Sequence, residues 1–168
     1  NDFIIVGPKN NSANIIISDN PVNTFKKIFN TSSIFISRGD DSGTHFKEMS
    51  IWTKAELKPR QFSGSWYREV GSGMGATLNL ASGMGGYTIT DRASWVNFSN
   101  KNDLKIVTEK NKLLFNQYGI TMVNPLKCPN TNSNDAKKFI NWLISPKGQD
   151  KIKNFKVKNQ QLFFPNAN

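Results

Sequence analysis

The sequence contains a single cysteine, Cys128, and a single histidine, His45, among its 168 residues. One cysteine cannot form an internal disulfide. One cysteine and one histidine are also too few to supply the ligands of an ordinary zinc site. No run of about 18 apolar residues is present, so the sequence predicts no membrane-spanning helix. The first residues, from Asn1 to Phe3, include neither Met nor a basic and apolar signal segment, as expected of a chain whose leader is removed or which is shortened.

Acidic residues are also scarce, since 12 Asp and Glu face 22 Lys and Arg and leave a formal charge of +10. Such a charge favours anionic partners, including nucleic acid. The lysines near the end of the chain, however, alternate with apolar residues in a pattern typical of a solvated helix face. Only one aromatic residue, Phe155, lies among these lysines, whereas many nucleic-acid surfaces interleave several aromatic and basic residues. We therefore expect no nucleic-acid partner.

Strand-like and helix-like segments alternate along the chain. Phe3–Val6 is a short apolar strand stopped by Gly7 and Pro8, and Ile34–Ile36 is another. A helix with Phe46, Met49, Trp52 and Ala55 on one side follows, with Asp41 or Ser42 as its N-cap. Later strands are predicted around residues 66–67, 87–89, 104–107 and 118–123, and later helices from residues 76, 136 and 145. This alternation predicts an α/β fold with a mainly parallel sheet.

The turn from Ser37 to Thr44 joins a predicted strand to a predicted helix, the position at which open α/β sheets bind ligands. Arg38 provides a fixed cation, Ser42 and Thr44 provide hydroxyl groups, and Gly43 lets the backbone approach a ligand closely. These residue types in this order favour an anion site.

A second glycine-containing turn, Gly71–Gly75, also precedes a predicted helix. A tetrahedral oxyanion needs more donors than one loop supplies, and this turn exposes backbone N–H groups and the Ser72 hydroxyl. The alternative is an ordinary flexible turn. The same residues fit a dinucleotide fingerprint, but no strong strand precedes them. His45 near Ser42 could suggest a hydrolase, yet no Gly-x-Ser-x-Gly elbow is present, so we predict no catalysis.

Two further residues have open roles. Arg92 either contacts the anion or pairs with neighbouring carboxylates. Tyr118 either presents its hydroxyl to a cleft or packs at the edge of a core.

Several of these segments, in order and spacing, resemble the tungstate-binding proteins of bacterial ABC importers. The segments are Ser37–Thr44, Gly71–Gly75, Tyr87–Arg92, Asn116–Gly119, Val123–Pro125, Phe139–Leu143 and Leu162–Pro165. The resemblance implies a periplasmic-binding-protein fold of the second type, in which two crossover strands link two lobes. Residues 1–8 would form one crossover, 9–115 the second lobe, 116–125 the return crossover, and 126–168 helices of the first lobe. The strand that begins the first lobe in that family is absent, so we expect this lobe to be incomplete and the chain to be a fragment or a short member.

The resemblance also implies a function and a set of binding residues. The chain would capture tungstate, with molybdate as a lesser ligand, outside the cytoplasm, and deliver it to an ABC transporter permease, its one link to the membrane. No cofactor and no metal cation would be needed, and no free carboxylate should face the dianion. The alternatives are a ligand-sensing effector domain of the same fold and, less favoured, a basic nucleic-acid-binding module. The residues expected to bind the oxyanion are Arg38, Ser42, Gly43, Thr44, Ser72, Gly73, Met74, Arg92 and Tyr118.

Overall fold

The computed structural model describes residues 1–17 and 19–167. The chain divides into two compact units, a larger one of residues 2–116 and a smaller one that contains Asn1 and the residues from Gln117 onward. None of the helices in these described residues is long and apolar enough to cross a membrane.

The larger unit alternates strands and helices, in agreement with the predicted α/β class. Its strands are β1 (Phe3–Pro8), β2 (Phe35–Ser37), β3 (Tyr67–Glu69), β4 (Thr88–Asp91) and β5 (Leu104–Thr108). Its helices are α1 (Pro21–Asn30), α2 (Gly43–Lys54), α3 (Met74–Met84) and α4 (Arg92–Asn97), and short 3₁₀ turns cover Pro59–Phe62 and Lys112–Leu114.

The strands associate in the order β3-β2-β4-β1-β5. The β2–β3 pair is parallel. The N–H of Ile36 donates to the Tyr87 carbonyl and the N–H of Tyr87 to the Ile34 carbonyl, both at 2.8 Å, which joins β2 to the start of β4 in parallel. β1 lies antiparallel between β4 and β5. The predicted parallel arrangement is thus right for β2 to β5, which run the same way, and wrong for β1.

The uniformly apolar side chains of Phe3–Val6 in β1 follow from its position, because both faces of this strand are buried. Phe3 and Ile5 pack in one apolar cluster with residues of α1 and α2, whereas Ile4 and Val6 pack in another with residues of α3 and α4. A strand covered on both sides becomes apolar throughout rather than alternating. Each of these side chains contributes about 1.5–3 kcal/mol by burial.

Gly7 in β1 is required by the packing of an aromatic ring. A Cβ atom built at Gly7 would overlap the ring of Tyr87. Tyr87 is itself buried, and its hydroxyl accepts a hydrogen bond of 3.0 Å from the N–H of Ala13. The glycine therefore permits a close approach between β1 and Tyr87, immediately before β4.

α2 begins where the sequence predicts, with Ser42 as the N-cap, but it buries a different face. Phe46, expected on the inner side, is 65 % exposed. The buried positions are Thr44, His45, Glu48, Ile51 and Trp52. The helix thus turns a carboxyl group and an imidazole toward the sheet.

The smaller unit contains α5 (Ser133–Ile144), α6 (Pro146–Asn154) and a hairpin of β6 (Lys156–Val157) and β7 (Gln160–Gln161). Ser145 caps α6 by accepting the N–H of Gly148 at 3.3 Å, and Pro146 occupies the first helical turn. The predicted start of this helix at Ser145 is therefore confirmed.

The predicted strand at residues 118–123 is wrong. This segment, inside the expected return crossover, forms no strand. In the described part of the smaller unit the strands are β6 and β7, which pair with each other. A strand is stabilised by hydrogen bonds to a neighbour, and this unit gives residues 118–123 no such partner.

Candidate functional site

Two loops of the larger unit meet at one edge of its sheet. Because β2 and β3 are parallel, their carboxyl ends at Ser37 and Glu69 lie side by side. The β2–α2 loop (residues 38–42) and the β3–α3 loop (residues 70–73) leave from there. The N–H of Gly71 donates to the carbonyl of Arg38 at 3.0 Å, so the two loops are in direct contact. The structure thereby brings together the two turns that the sequence singles out.

The β2–α2 loop is held by its own side chains. Nε of Arg38 donates to Oδ2 of Asp40 at 2.8 Å, and Oδ1 of Asp40 accepts the N–H of Ser42 at 3.2 Å. Gly39 and Asp41 both have positive φ angles, 61° and 56°. Ser42 then accepts the N–H of His45 at 3.3 Å and starts α2. The loop is consequently an ordered turn.

Asp40 places a carboxylate beside Arg38, the predicted anion contact, where the sequence predicts none. Burial opposes its ionisation, but hydrogen bonds from Ser42 and the charge of Arg38 hold the pKa of Asp40 below its usual value. Asp40 is therefore ionised at neutral pH and fixes Nε of Arg38. Among the described residues, no acceptor faces the terminal Nη1 and Nη2 groups of Arg38, which stay available as donors.

The helix starts at both loops present backbone N–H groups. Ser42 accepts from His45, and within the described chain no acceptor faces the N–H groups of Gly43 and Thr44. At α3 the N-cap is Gly73, which makes no side-chain cap, and Met74 follows as the first helical residue. The first N–H groups of a helix carry a partial positive charge and bind anions well.

The β3–α3 loop is open to solvent. Gly71, Ser72 and Gly73 are exposed, whereas Met74 is buried, so that Met74 can offer only its backbone to a ligand. Gly71 has a φ of 64°, a conformation that favours glycine. A Cβ atom at Gly43, Gly71 or Gly73 would meet nothing within 4 Å, which leaves space in front of both helix starts. This arrangement can surround a small anion with neutral donors and one cation.

Arg92 pairs with carboxylates, which is one of the two roles that the sequence leaves open. Its Nε and Nη2 donate to the two carboxylate oxygens of Asp2 at 2.7 and 2.6 Å, and Nη2 also donates to Glu109 at 2.8 Å. The hydrogen bonds to Asp2 and Glu109 raise the pKa of Arg92 above its ordinary value, against the effect of burial. Two carboxylates thus neutralise this guanidinium, and a contact between Arg92 and the anion stays a prediction. Arg92 ties α4 to the residue before β1 and to the residue after β5.

Tyr118 belongs to the smaller unit, where it is 59 % exposed and its ring packs edge-on against Phe163 at 5.5 Å. Its role as a ligand contact stays a prediction.

Sequence reasoning missed a polar cluster directly under the β2–α2 loop. Glu48 is fully buried and accepts hydrogen bonds from the Ser37 hydroxyl at 2.7 Å, the Tyr67 hydroxyl at 2.7 Å and Trp52 Nε1 at 3.2 Å. Burial raises the pKa of Glu48 to about 7. The available signal was its spacing, because Thr44, Glu48 and Trp52 recur every four residues along one helix face.

Residues 1–147 match the family model described as a PBP superfamily domain, PBP denoting periplasmic binding protein. The chain belongs to this superfamily. The periplasmic-binding-protein fold expected from the sequence is thereby confirmed. Within the described residues, no three His, Cys, Asp or Glu side chains are grouped closely enough to hold a metal cation.

Among its relatives in the PBP superfamily are tungstate-binding proteins named TupA. The chain is 42 % identical over 171 residues to that of Peptoclostridium acidaminophilum, with 99 % of this chain and 59 % of the relative covered. It is 37 % identical over 171 residues to that of Campylobacter jejuni, with 99 % and 62 % covered. The resemblance to tungstate-binding proteins is therefore confirmed over the whole chain.

A solved structure of the tungstate-binding protein TupA from Desulfovibrio alaskensis G20 superimposes with a TM-score of 0.86 at 40 % identity. This match covers 100 % of the present chain and 68 % of that protein. The chain spans between 49 % and 62 % of the length of the curated relatives it matches.

Proposed function

We propose that this chain binds a tetrahedral oxyanion, tungstate in the first place and molybdate more weakly, and hands it to the permease of an ABC transporter. The observation that carries the proposal is the contact between the β2–α2 and β3–α3 loops. This contact places Arg38 and the N-termini of α2 and α3 at one edge of the sheet. The tungstate-binding relatives support the choice of ligand.

The donors suit a fully deprotonated anion. Backbone N–H groups and a guanidinium donate hydrogen bonds and accept none, so they stabilise an anion that carries no proton. Ser42 and Thr44 add hydroxyl groups at the start of α2, and Ser72 adds one in the second loop. Discrimination against sulfate and phosphate would come from the size of the space between the loops, since tungstate and molybdate are larger.

We further propose that the association is reversible and that no bond is made or broken. Transfer to a permease requires release, and helix N-termini together with one partly neutralised cation bind without a covalent step. The site would act outside the cytoplasm, where binding proteins of importers meet their ligands, and contact with the membrane would occur through the permease.

A thermal-shift panel with tungstate, molybdate, sulfate and phosphate tests the ligand. A ligand present at 100 times its dissociation constant adds about 2.7 kcal/mol to the free energy of unfolding, which raises the melting temperature by several degrees. We expect the largest rise with tungstate and a smaller one with molybdate. Equal melting temperatures with and without all four anions would refute the proposal.

Arg38→Ala, assayed by titration calorimetry with tungstate, tests the site. The variant removes charge-assisted hydrogen bonds worth about 1.5–3 kcal/mol each and leaves Asp40 beside the anion, so we expect affinity to fall about a hundredfold. Arg68→Ala is the matched control, because Arg68 is exposed and donates to the Ser65 carbonyl. An unchanged dissociation constant for Arg38→Ala would remove this loop from the site.

A further inference from the structure

We propose that Glu48 is a positioning residue of the oxyanion site and that anion binding is coupled to proton uptake by its carboxyl group. The proposal rests on the proposed function and adds to it a residue and a pH dependence. Glu48 would not touch the anion. It would act through the elements that carry the anion's donors.

The geometry places Glu48 where three parts of the site converge. Glu48 lies in α2, about 6 Å along the helix axis from Thr44 and on the same face. Its Oε2 accepts the hydroxyl of Ser37, the last residue of β2 and the one directly before Arg38. Its Oε1 accepts the hydroxyl of Tyr67 in β3, the strand that leads to the second loop. One carboxyl group therefore joins α2, β2 and β3.

Among residues 1–17 and 19–167, no cation compensates a negative charge on Glu48. Its donors, Ser37, Trp52 and Tyr67, are neutral. The charged group that acts on it is Glu69 in β3, which disfavours ionisation further. The buried residues of α1 and β4, which also pack on α2, are Pro21, Thr24, Phe25, Ile28, Thr88, Ile89 and Thr90, and none of these side chains is acidic or basic. Lys47, the cation next to Glu48 in the sequence, donates to the Leu113 carbonyl at 3.1 Å, and Arg38 pairs with Asp40.

Both protonation states of Glu48 satisfy the cluster. The ionised carboxylate accepts from Ser37, Tyr67 and Trp52, as the structure shows. When Oε2 carries a proton it donates to the Ser37 hydroxyl oxygen instead, and Oε1 keeps its two donors. This reversal releases the Ser37 hydroxyl proton to donate elsewhere at the end of β2. Both carboxyl oxygens of Glu48 therefore keep a partner in either charge state.

A bound dianion would repel the ionised form of Glu48 and leave the protonated form unaffected. Burial already brings the pKa of Glu48 to about 7 in the free chain, and the anion raises it further. The bound state then holds more protons than the free state between pH 7 and the higher pKa. By linkage, affinity is greatest below pH 7, falls as pH rises through this window and becomes constant above it.

Titration calorimetry with tungstate from pH 6.0 to 8.5 tests this coupling. If the anion raises the pKa of Glu48 by about one unit, the dissociation constant increases about tenfold across the range. At pH 7.5, two buffers that differ in ionisation enthalpy should give different apparent binding enthalpies, because a proton is taken up. In Glu48→Gln, whose amide keeps the shape and does not ionise, we expect a flat pH profile and equal enthalpies.

Two variants control for other ionisable groups. Glu56→Gln changes an exposed glutamate just beyond the end of α2 and should keep the pH dependence of the unmodified chain. His45→Gln matters because His45 is buried on the same helix and its Nδ1 accepts the N–H of Asp41, in the β2–α2 loop, at 3.0 Å. The pH dependence should survive in His45→Gln. Its loss there, or its persistence in Glu48→Gln, would assign the coupling to another group and overturn the proposal.

Glu48→Leu tests the positioning role, since it removes both acceptors of the cluster. We expect Glu48→Leu to bind tungstate more weakly than the unmodified chain at every pH. Glu48→Gln should restore the affinity at pH 6.0, because its amide keeps the shape of the protonated carboxyl group. Should the leucine variant not fold, the comparison of two buffers on the unmodified chain still shows whether anion binding takes up a proton. Tungstate binding with one dissociation constant at all pH values and no buffer effect would overturn this inference and leave the proposed function intact. Absence of binding to any oxyanion would overturn both.

Discussion

Replacing Arg92 should lower the stability of the larger unit and leave anion affinity unchanged. The guanidinium makes three charge-assisted hydrogen bonds, two to Asp2 and one to Glu109, and its side chain is 19 % exposed. Arg92→Ala removes this cation from two carboxylates that are themselves mostly covered. Loss of one partner of a buried ion pair costs about 3–5 kcal/mol, and we expect about 2–4 kcal/mol here because the network lies partly at the surface.

Urea unfolding followed by circular dichroism at pH 7 measures this loss, with Arg92→Lys as the matched variant. Lysine keeps the charge but cannot bridge Asp2 with two parallel bonds, so it should recover part of the stability. The melting temperature of Arg92→Ala should fall by roughly 3 °C for each kcal/mol lost. Tungstate affinity, measured well below the melting temperature, should change less than twofold. An unchanged urea midpoint together with lost affinity would refute the structural role and restore Arg92 as an anion contact.

Two further outcomes follow from buried groups. The pKa of Glu48 rises from 4.5 to about 7 on folding, so the folded state binds more protons than the unfolded state in that interval. The protonated carboxyl group of Glu48 therefore contributes at most about 3 kcal/mol to stability, and this contribution is lost as pH rises from 4.5 to 7. Urea unfolding at several pH values should show this decline in the unmodified chain and not in Glu48→Gln. Gly7→Ala should destabilise the larger unit by about 1–3 kcal/mol, because the new Cβ overlaps the Tyr87 ring. Gly83→Ala, in α3 with open space around it, should not be destabilising. Equal urea midpoints for the two variants would contradict the packing argument.

Local signals predicted the helix starts well. Ser42 and Ser145 each accept an N–H three residues later, as their position before a helical segment indicates. Such caps depend on neighbouring residues in the chain, so the sequence contains the information directly. The same holds for the glycine-bearing turns that lead into α2 and α3.

Tertiary partners decided the features that sequence reasoning missed. The spacing of apolar residues by three predicted that Phe46 lies on the buried face of α2, but the neighbouring face, which contains Glu48, is the buried one. The donors to Glu48, Ser37 and Tyr67, come from two different strands. Spacing along one helix cannot reveal such donors. Arg92 shows the same limit, because its carboxylates lie just before β1 and just beyond the end of β5. Tyr118 was expected in a strand for its apolar neighbours, but a strand also needs a pairing edge.

The central place of β1 has a consequence for the order in which the larger unit folds. Phe3 pairs with Asp91 and Pro8 with Leu104, so β1 must wait on the ribosome for strands that are made much later. Until then its uninterrupted apolar residues have no sheet to enter and are exposed to association with other chains. Contacts between residues so distant in sequence form slowly. We therefore expect a late, cooperative closure of this unit, and a need for chaperone protection during synthesis that ends once β5 is available.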